Sequence, residues 1–492
     1  MNDRRKLHPV YVVFALLQTI KGLIPLAVLT LLRGADWMNM YWYAGFGAAV
    51  VLLILYGFFD WRNYTYALAN DRIVIRKGVL FRDEKTIYFG KIHSVNIEQP
   101  FVQRILGVAQ LKIETPGGNK KADGILSALS VKDAEQLRVQ LLNRKGKAET
   151  DESVLSGNPA ADAQPKMHTQ AAVPAVAEAS SPSYRLHGGQ LLLAALTSMN
   201  FGLVAAFVAG LYSFADDVIE LIAPDHFYEN IAKESVSLLP SGAAIVLLAA
   251  GALIVAWLLS MLLFFVKFAG FEVKKEGRRV SISYGLLDKK THVFDPRKVQ
   301  AVLVQENVLR QLAGYAQIQL QVVSSDKNEK LCLHPFIPIA RLQEVLDEFV
   351  PQIKAHSVAA QAPARALLYY MRFWLIAVLA ACAATIAFFQ LAGLWSLLLL
   401  PLVFWWRISC FRAAGMRLED GQLTLRNRIF SRTTYFTRRP QIVAMKVKRS
   451  NGQERRRLLT IAVHAMGSAQ HFNVKCLDSG DVEPVWNWYR RN

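Results

Sequence analysis

Six stretches of this chain are long and apolar enough, or nearly so, to cross a lipid bilayer. They fall at about 10–32, 41–59, 190–214, 241–266, 367–389 and 394–409. A hydrocarbon core about 30 Å thick and a helical rise of about 1.5 Å per residue require roughly 20 mostly apolar residues per span. The last stretch is the shortest and contains Pro401. The six form three pairs, each with a short or modest loop, so each pair reads as a helical hairpin. Of the 492 residues, 53% are hydrophobic and only 19% charged. Soluble chains carry about 25% charged residues, so a soluble enzyme, a disordered chain and a disulfide scaffold are all disfavoured. The four cysteines, Cys332, Cys382, Cys410 and Cys476, are widely spread and show no metal-ligand spacing.

The net charge of +19 could mean a nucleic-acid binder or a membrane protein, and its distribution decides. Segments 1–9, 61–187, 269–366 and 407–492 carry +2, +5, +4 and +11, whereas the hairpin loops 33–40, 215–240 and 390–393 carry 0, −5 and 0. Lys and Arg collect on the cytoplasmic side of a membrane. Both termini and the three large segments are therefore expected in the cytoplasm, and the loops outside. The first stretch is too long for the core of a cleaved signal peptide.

After each hairpin the chain repeats itself. Tyr66–Leu80, Phe271–Leu287 and Met416–Phe430 align around Gly78, Gly285 and Arg428. The first two copies continue at a constant offset of 207, bringing Gly107-Val-Ala-Gln onto Gly314-Tyr-Ala-Gln; in the third, at offset 350, Arg455, Arg456 and Arg457 replace Ile-Leu-Gly. Leu111–Glu114 and Ile318–Val322 alternate apolar and polar residues, as half-buried strands do. The first two copies end in an amphipathic helix. Val131, Ala134, Leu137 and Leu141 share its face in one, with Ser130 as N-cap, and Ile339, Leu342, Leu346 and Phe349 share it in the other. The third ends around Val485, Trp486, Trp488 and Tyr489, where a shorter helix is expected. Residues 145–187 are rich in Ala, Pro and Ser and read as a disordered linker.

Paired spans followed by this β-rich module resemble the bacterial membrane proteins that carry the bPH2 (DUF304) domain, and three units in one chain resemble the YdbT-like group among them. Leu7-His8-Pro9, the segments around Gly78 and Gly285, and the stretches leading to Gly107 and Gly314 carry the likeness. The resemblance implies a pleckstrin-homology-like (PH-like) fold: a seven-stranded bent sheet closed by a C-terminal helix. It supplies no catalytic or ligand residues. The expected fold class is thus an α+β membrane protein. Three transmembrane hairpins (1–60, 188–268 and 365–409) are each followed by a cytoplasmic PH-like β-roll (61–144, 269–355 and a divergent 410–492).

No nucleotide loop, metalloprotease or hydrolase motif is present, and His93, His292, His334, His464 and His471 are scattered. No enzyme, cofactor or metal is expected. Two sites stand out. Lys21 lies near the middle of the first span, where a charge costs a few kcal/mol unless paired or snorkelling, so it marks a polar contact or a transport pathway. Arg438, Arg439, Lys446, Lys448, Arg449, Arg455, Arg456 and Arg457 form a basic cluster in the last domain, suited to anionic lipid or a protein partner. It lacks the interleaved aromatics of a nucleic-acid site. The expected role is a non-enzymatic polytopic protein of a bacterial plasma membrane that displays its domains for protein or anionic-lipid binding, as a scaffold or an envelope-stress or resistance component, with a membrane-protein partner or as a homo-oligomer. The alternative is a transporter built around Lys21.

Overall fold

The computed structural model describes residues 4–14, 40–79, 81–115, 123–155, 183–198, 241–322, 330–466 and 471–490. It divides into two compact units. One comprises residues 1–184, 270–295 and 323–329; the other comprises 185–269, 296–322 and 330–492.

In the first unit, β1 (Arg4–Lys6) precedes helix α1 (Met40–Asn63), and β2 (Thr65–Leu68), β3 (Arg72–Lys77) and β4 (Asp83–Tyr88) follow it. They form an antiparallel sheet in the order β1-β2-β3-β4. The chain continues through β5 (Ser94–Gln99), α2 (Phe101–Ile105), β6 (Val108–Glu114), β7 (Gly124–Ser130) and α3 (Val131–Leu155). Ile73, Ile75 and Ile87 of the first sheet share one core with Val95, Leu111, Ile113 and Leu126 of the second and with Ala134, Leu137 and Leu141 of α3. Each fully buried aliphatic side chain contributes roughly 1.5–3 kcal/mol. The Ser130 hydroxyl accepts the Asp133 N–H at 3.1 Å and caps α3 as expected. Val131, assigned to the buried face, is 44% exposed in the first turn.

Helix α3 also runs to Leu155, well into the stretch expected to be coil from residue 145. Ala148, Glu149 and Glu152 suit a helix, and no proline intervenes before Pro159. The rest of that linker, 156–182, lies outside the described residues.

The end of the expected linker instead forms a strand, β8 (Ser183–Arg185), and α4 (Gly188–Leu196), α5 (Ser241–Phe268), β9 (Glu272–Glu276), β10 (Arg279–Tyr284) and β11 (Lys289–Phe294) follow. Strands β9 to β11 belong to the second repeat, yet they join the first unit. β11 pairs antiparallel with β5, giving a seven-stranded sheet in the order β7-β6-β5-β11-β10-β9-β8.

The second unit repeats the arrangement. It contains β12 (Val299–Glu306), α6 (Val308–Ala313), β13 (Tyr315–Val322), β14 (Leu331–Pro338), α7 (Leu342–Phe349), β15 (Ala360–Gln361), α8 (Leu367–Phe389) and α9 (Leu399–Ala413). These are followed by β16 (Gly415–Glu419), β17 (Gln422–Arg428), β18 (Arg432–Arg438), β19 (Ile442–Lys448), α10 (Asn451–Arg455), β20 (Leu458–Ala465), β21 (Phe472–Asp478) and α11 (Ser479–Arg490). β12 pairs with β18 in the order β14-β13-β12-β18-β17-β16-β15, and β19-β20-β21 form a separate sheet. Each repeat thus has seven strands, split four and three rather than forming one bent sheet. Each three-stranded half continues into the four-stranded half of the next repeat.

The two junctions share one register. Lys289, Lys290 and Thr291 oppose Gln99, Glu98 and Ile97. At the repeat-equivalent positions Arg432, Thr433 and Thr434 oppose Glu306, Gln305 and Val304.

Two sequence expectations need correction here. Ile339 falls in a 3₁₀ turn before α7 and is 37% exposed, so Leu342, Leu346 and Phe349 alone carry that helix's buried face. The third repeat keeps the full topology, and its closing helix α11, with 12 residues, outlasts the eight of α7. It keeps the short helix and turn because Arg457, at φ +50°, adopts the left-handed conformation of Gly107 (+66°) and Gly314 (+72°).

Among the described residues, two helices are long and apolar enough to cross a membrane, Ala364–Phe388 and Gly393–Ala413. Three such pairs were expected. α1 and α5 run through the second and fourth expected spans. The first and third lie mostly outside the described residues, as does Lys21. In the last hairpin, Pro401 sits in the first turn of α9, where its missing N–H costs no helical bond. The Thr385 hydroxyl donates to the Ser396 hydroxyl at 2.9 Å and joins the two helices.

Gly285 has φ +116°, and a Cβ there would strike the carbonyl oxygen of Asp288. Gly285→Ala is therefore expected to cost roughly 1–3 kcal/mol. The check is a lowered thermal-unfolding midpoint of the detergent-solubilised protein, with Gly188→Ala, which meets open space, as the control.

Candidate anion-binding site and a buried arginine

The basic residues singled out from sequence do not form one patch. Arg438 and Arg439 precede β19, and Lys448 ends it; seven residues of extended strand place these ends roughly 20 Å apart. At the near end, Arg439 donates to the Tyr489 carbonyl at 3.3 Å and so helps hold α11. Lys446 and Lys448 are exposed on β19. Arg449 pairs with Glu454 at 3.2 Å.

Arg455, Arg456 and Arg457 form the exposed turn between α10 and β20. Local chemistry fixes this turn. The Ser450 hydroxyl accepts the Gln453 N–H at 3.4 Å, and the Gln453 side-chain oxygen accepts the Ser450 N–H at 3.0 Å. This capping box satisfies two otherwise orphaned donors. The Ser479 N–H donates to the Arg457 carbonyl at 3.0 Å and pins the exit.

The turn stands over the start of α8. Gly452 lies against Tyr369, where a Cβ would come within 2.9 Å of the phenol oxygen. The Arg456 guanidinium sits 5.9 Å from the Tyr369 ring centre, and Arg372, one helical turn on, sits 4.7 Å from it. Two guanidinium groups thus share one aromatic ring where an apolar helix begins. Arg407 reinforces the same end of the hairpin. It donates to the Tyr370 carbonyl at 2.9 Å and lies 5.2 to 5.8 Å from the rings of Tyr370, Trp374 and Trp406. Guanidinium groups gathered at an apolar boundary can take up phosphate or carboxylate in a forked hydrogen bond. Arg372 is distant from Arg456 in the sequence, and its place beside it depends on the fold.

A second arrangement was not visible in the sequence. Arg310 of α6 is only 2% exposed. It donates to the Ala194 carbonyl at 3.2 Å, and to the Thr197 hydroxyl and the Gln317 side-chain oxygen at 3.3 Å each. It also lies 5.4 and 5.7 Å from the Phe264 and Phe336 rings. Among the described residues no carboxylate pairs with it, and burial pulls its pKa down to about 10. It remains charged at neutral pH and ties α4, at the start of the second expected hairpin, to β13. Gln103 and Gln453 occupy the same place in the other repeats, so only alignment of all three would have flagged this cation.

Nearby, burial drives the Cys332 thiol up to about 12 and the His334 imidazole down to about 3. The His334 Nδ1 accepts the Phe336 N–H at 3.2 Å, which requires that nitrogen to be unprotonated.

A family model described as bacterial PH domain (bPH_2) matches residues 12–145, 231–350 and 368–492. The chain belongs to that family and carries its domain three times. It is also similar to the UPF0699 transmembrane protein YdbT of Bacillus subtilis (strain 168). The two are 27% identical over 505 residues, covering 99% of this chain and 98% of the relative.

The depressed His334 value has a defined consequence. The unfolded imidazole takes a proton near 6.5 and the folded one near 3, so between these values the unfolded state binds more protons and stability is lost as the pH is lowered. Acid unfolding profiles should show this loss below about pH 6.5. His334→Leu should flatten it over the same window.

Proposed function

We propose that this chain is a non-enzymatic membrane protein. Three hairpins hold three PH-like rolls at the cytoplasmic face, and the third roll binds anionic phospholipid headgroups through Arg372, Arg456 and Arg457. The observation that carries the reading is the turn at Arg457. Two sister repeats place glycine there, in a left-handed conformation that glycine adopts freely. The third repeat holds an exposed arginine in that conformation at a cost of roughly 1–3 kcal/mol. Strain kept at one of three equivalent turns, beside Arg456, Tyr369 and the start of an apolar helix, supports selection for charge at that point. The +11 carried by residues 407–492 supports the same reading. The cytoplasmic placement rests on the distribution of Lys and Arg, and the scaffold role on the repeat architecture.

The test uses the full chain in nanodiscs of phosphatidylcholine containing a minor fraction of phosphatidylglycerol, with co-purifying lipid quantified after detergent extraction. A basic residue near an anionic surface is worth roughly 1 kcal/mol, about fivefold. The combined Arg455→Ser, Arg456→Ser and Arg457→Ser change should therefore reduce phosphatidylglycerol retention by one to two orders of magnitude at low salt. Unchanged retention would overturn the proposal.

Arg457→Gly separates stability from binding. Relief of the left-handed backbone should stabilise the protein by about 1 kcal/mol. Its melting midpoint should rise while phosphatidylglycerol retention falls.

A further inference from the structure

The chain's own junctions leave two strand edges unused. Strands β11 and β18, the fourth strands of repeats two and three, each pair with the fifth strand of the preceding repeat, β5 and β12. β4 is the fourth strand of the first of the three repeats, and β19 is the fifth strand of the third. Both are edge strands, and no strand among the described residues pairs with the outer side of either.

Transferring the shared register to these edges sets Asp83 opposite Lys448. The equivalent pairs inside the chain are Lys290 opposite Glu98 and the uncharged Thr433 opposite Gln305, so at the free edges the charges of the first junction are exchanged. The neighbouring positions would bring Arg82 toward Arg449 and Lys85 toward Lys446. Arg449 already pairs with Glu454 at 3.2 Å and Lys85 with Asp123 at 3.6 Å, whereas the Asp83 contact to Lys77 is longer, at 3.8 Å, and exposed.

The hairpin tip before the fourth strand tells the same story. In repeat two, Asp288 accepts the Phe101 N–H of α2 at 2.9 Å, and the Leu286 carbonyl accepts from Arg104. In repeat three, Ser431 donates to Asn307 at 2.6 Å and Arg428 donates to Gln311 at 3.2 Å. Each tip therefore docks on the short helix of the repeat before it. At the equivalent tip of repeat one, Phe81 is 91% exposed.

We infer that two copies of this chain assemble head to tail, with β4 of one molecule pairing antiparallel with β19 of another in the register that joins the repeats within each chain. The Asp83–Lys448 pair sets the specificity. Lysines on an exposed edge deter indiscriminate pairing, and a strand bearing an acid opposite Lys448 passes that filter. Such a contact is heterologous, so it propagates until a ring closes.

The test co-reconstitutes two differently tagged full-length chains, one bearing Asp83→Cys and the other Lys448→Cys, in vesicles under mild oxidation. The native cysteines are free and buried, which keeps the background low. Directly opposed residues lie within disulfide reach, whereas a two-residue offset does not. The mixed dimer should form about tenfold more than with Lys446→Cys as the second chain. In unmodified chains, Asp83→Lys should weaken association roughly twofold to fivefold, and Lys448→Asp in the partner should restore it. No excess of the 83–448 product over the 83–446 control overturns the inference. So does failure of the charge exchange to restore association.

Discussion

The fold depends on backbone pairing between unlike edges of successive repeats. A three-stranded half-roll ends in a fifth strand whose outer N–H and C=O groups would otherwise be bare, and a four-stranded half-roll ends in a fourth strand with the same need. Pairing them satisfies both without recruiting another element. The register must also be single-valued, because a one-residue slip would turn Ile97 and Val304, which face the core, toward the opposite side. Identical registers at β5–β11 and β12–β18 show one interface used twice. The compact units therefore cut across the repeats: β9–β11 fold with the first repeat, and β12–β14 with the third.

This also explains which features were legible in the sequence. The threefold repeat could be read because its turns need particular backbone conformations, and Gly78, Gly285, Gly107 and Gly314 leave a trace wherever glycine is required. Alternation in β6 and β13, the Ser130 cap of α3 and the buried faces of α3 and α7 beyond their first residues were equally readable. The junctions were not, since edge pairing is made by backbone groups that every residue carries. Charges such as Arg432 opposite Glu306 and Lys290 opposite Glu98 mark it, and they acquire meaning once the register is known. The split of each repeat into four strands and three was hidden for the same reason.

The basic cluster shows the converse limit. Eight cations close in sequence looked like one surface, but an extended strand moves residues apart by more than 3 Å each. Arg439 became a structural donor and Arg449 an ion-pair partner, while Arg372, distant in sequence, joined Arg456 at Tyr369. The divergence at Arg455–Arg457 read as loss of the repeat's pattern. In the structure it is retention of the backbone with replacement of the side chain, which a glycine-to-arginine change cannot distinguish from a lost turn.

The variable positions within a conserved backbone then point to specialisation of each repeat. At one site of the short helix the three repeats hold Gln103, Arg310 and Gln453, and at the turn that follows they hold Gly107, Gly314 and Arg457. In the middle repeat the cation points inward, buried against Ala194, Thr197 and Gln317, where burial keeps it from any soluble anion. In the last repeat the cation sits four residues later, exposed on the turn that leads into β20. A buried, hydrogen-bonded arginine anchors, because moving it would strand a charge without partners. An exposed one on a strained turn contributes nothing comparable to folding and is free to meet a ligand. The same scaffold thus holds arginine as a buried fastener in one repeat and as an exposed cation in another, with a shift of four positions deciding between them.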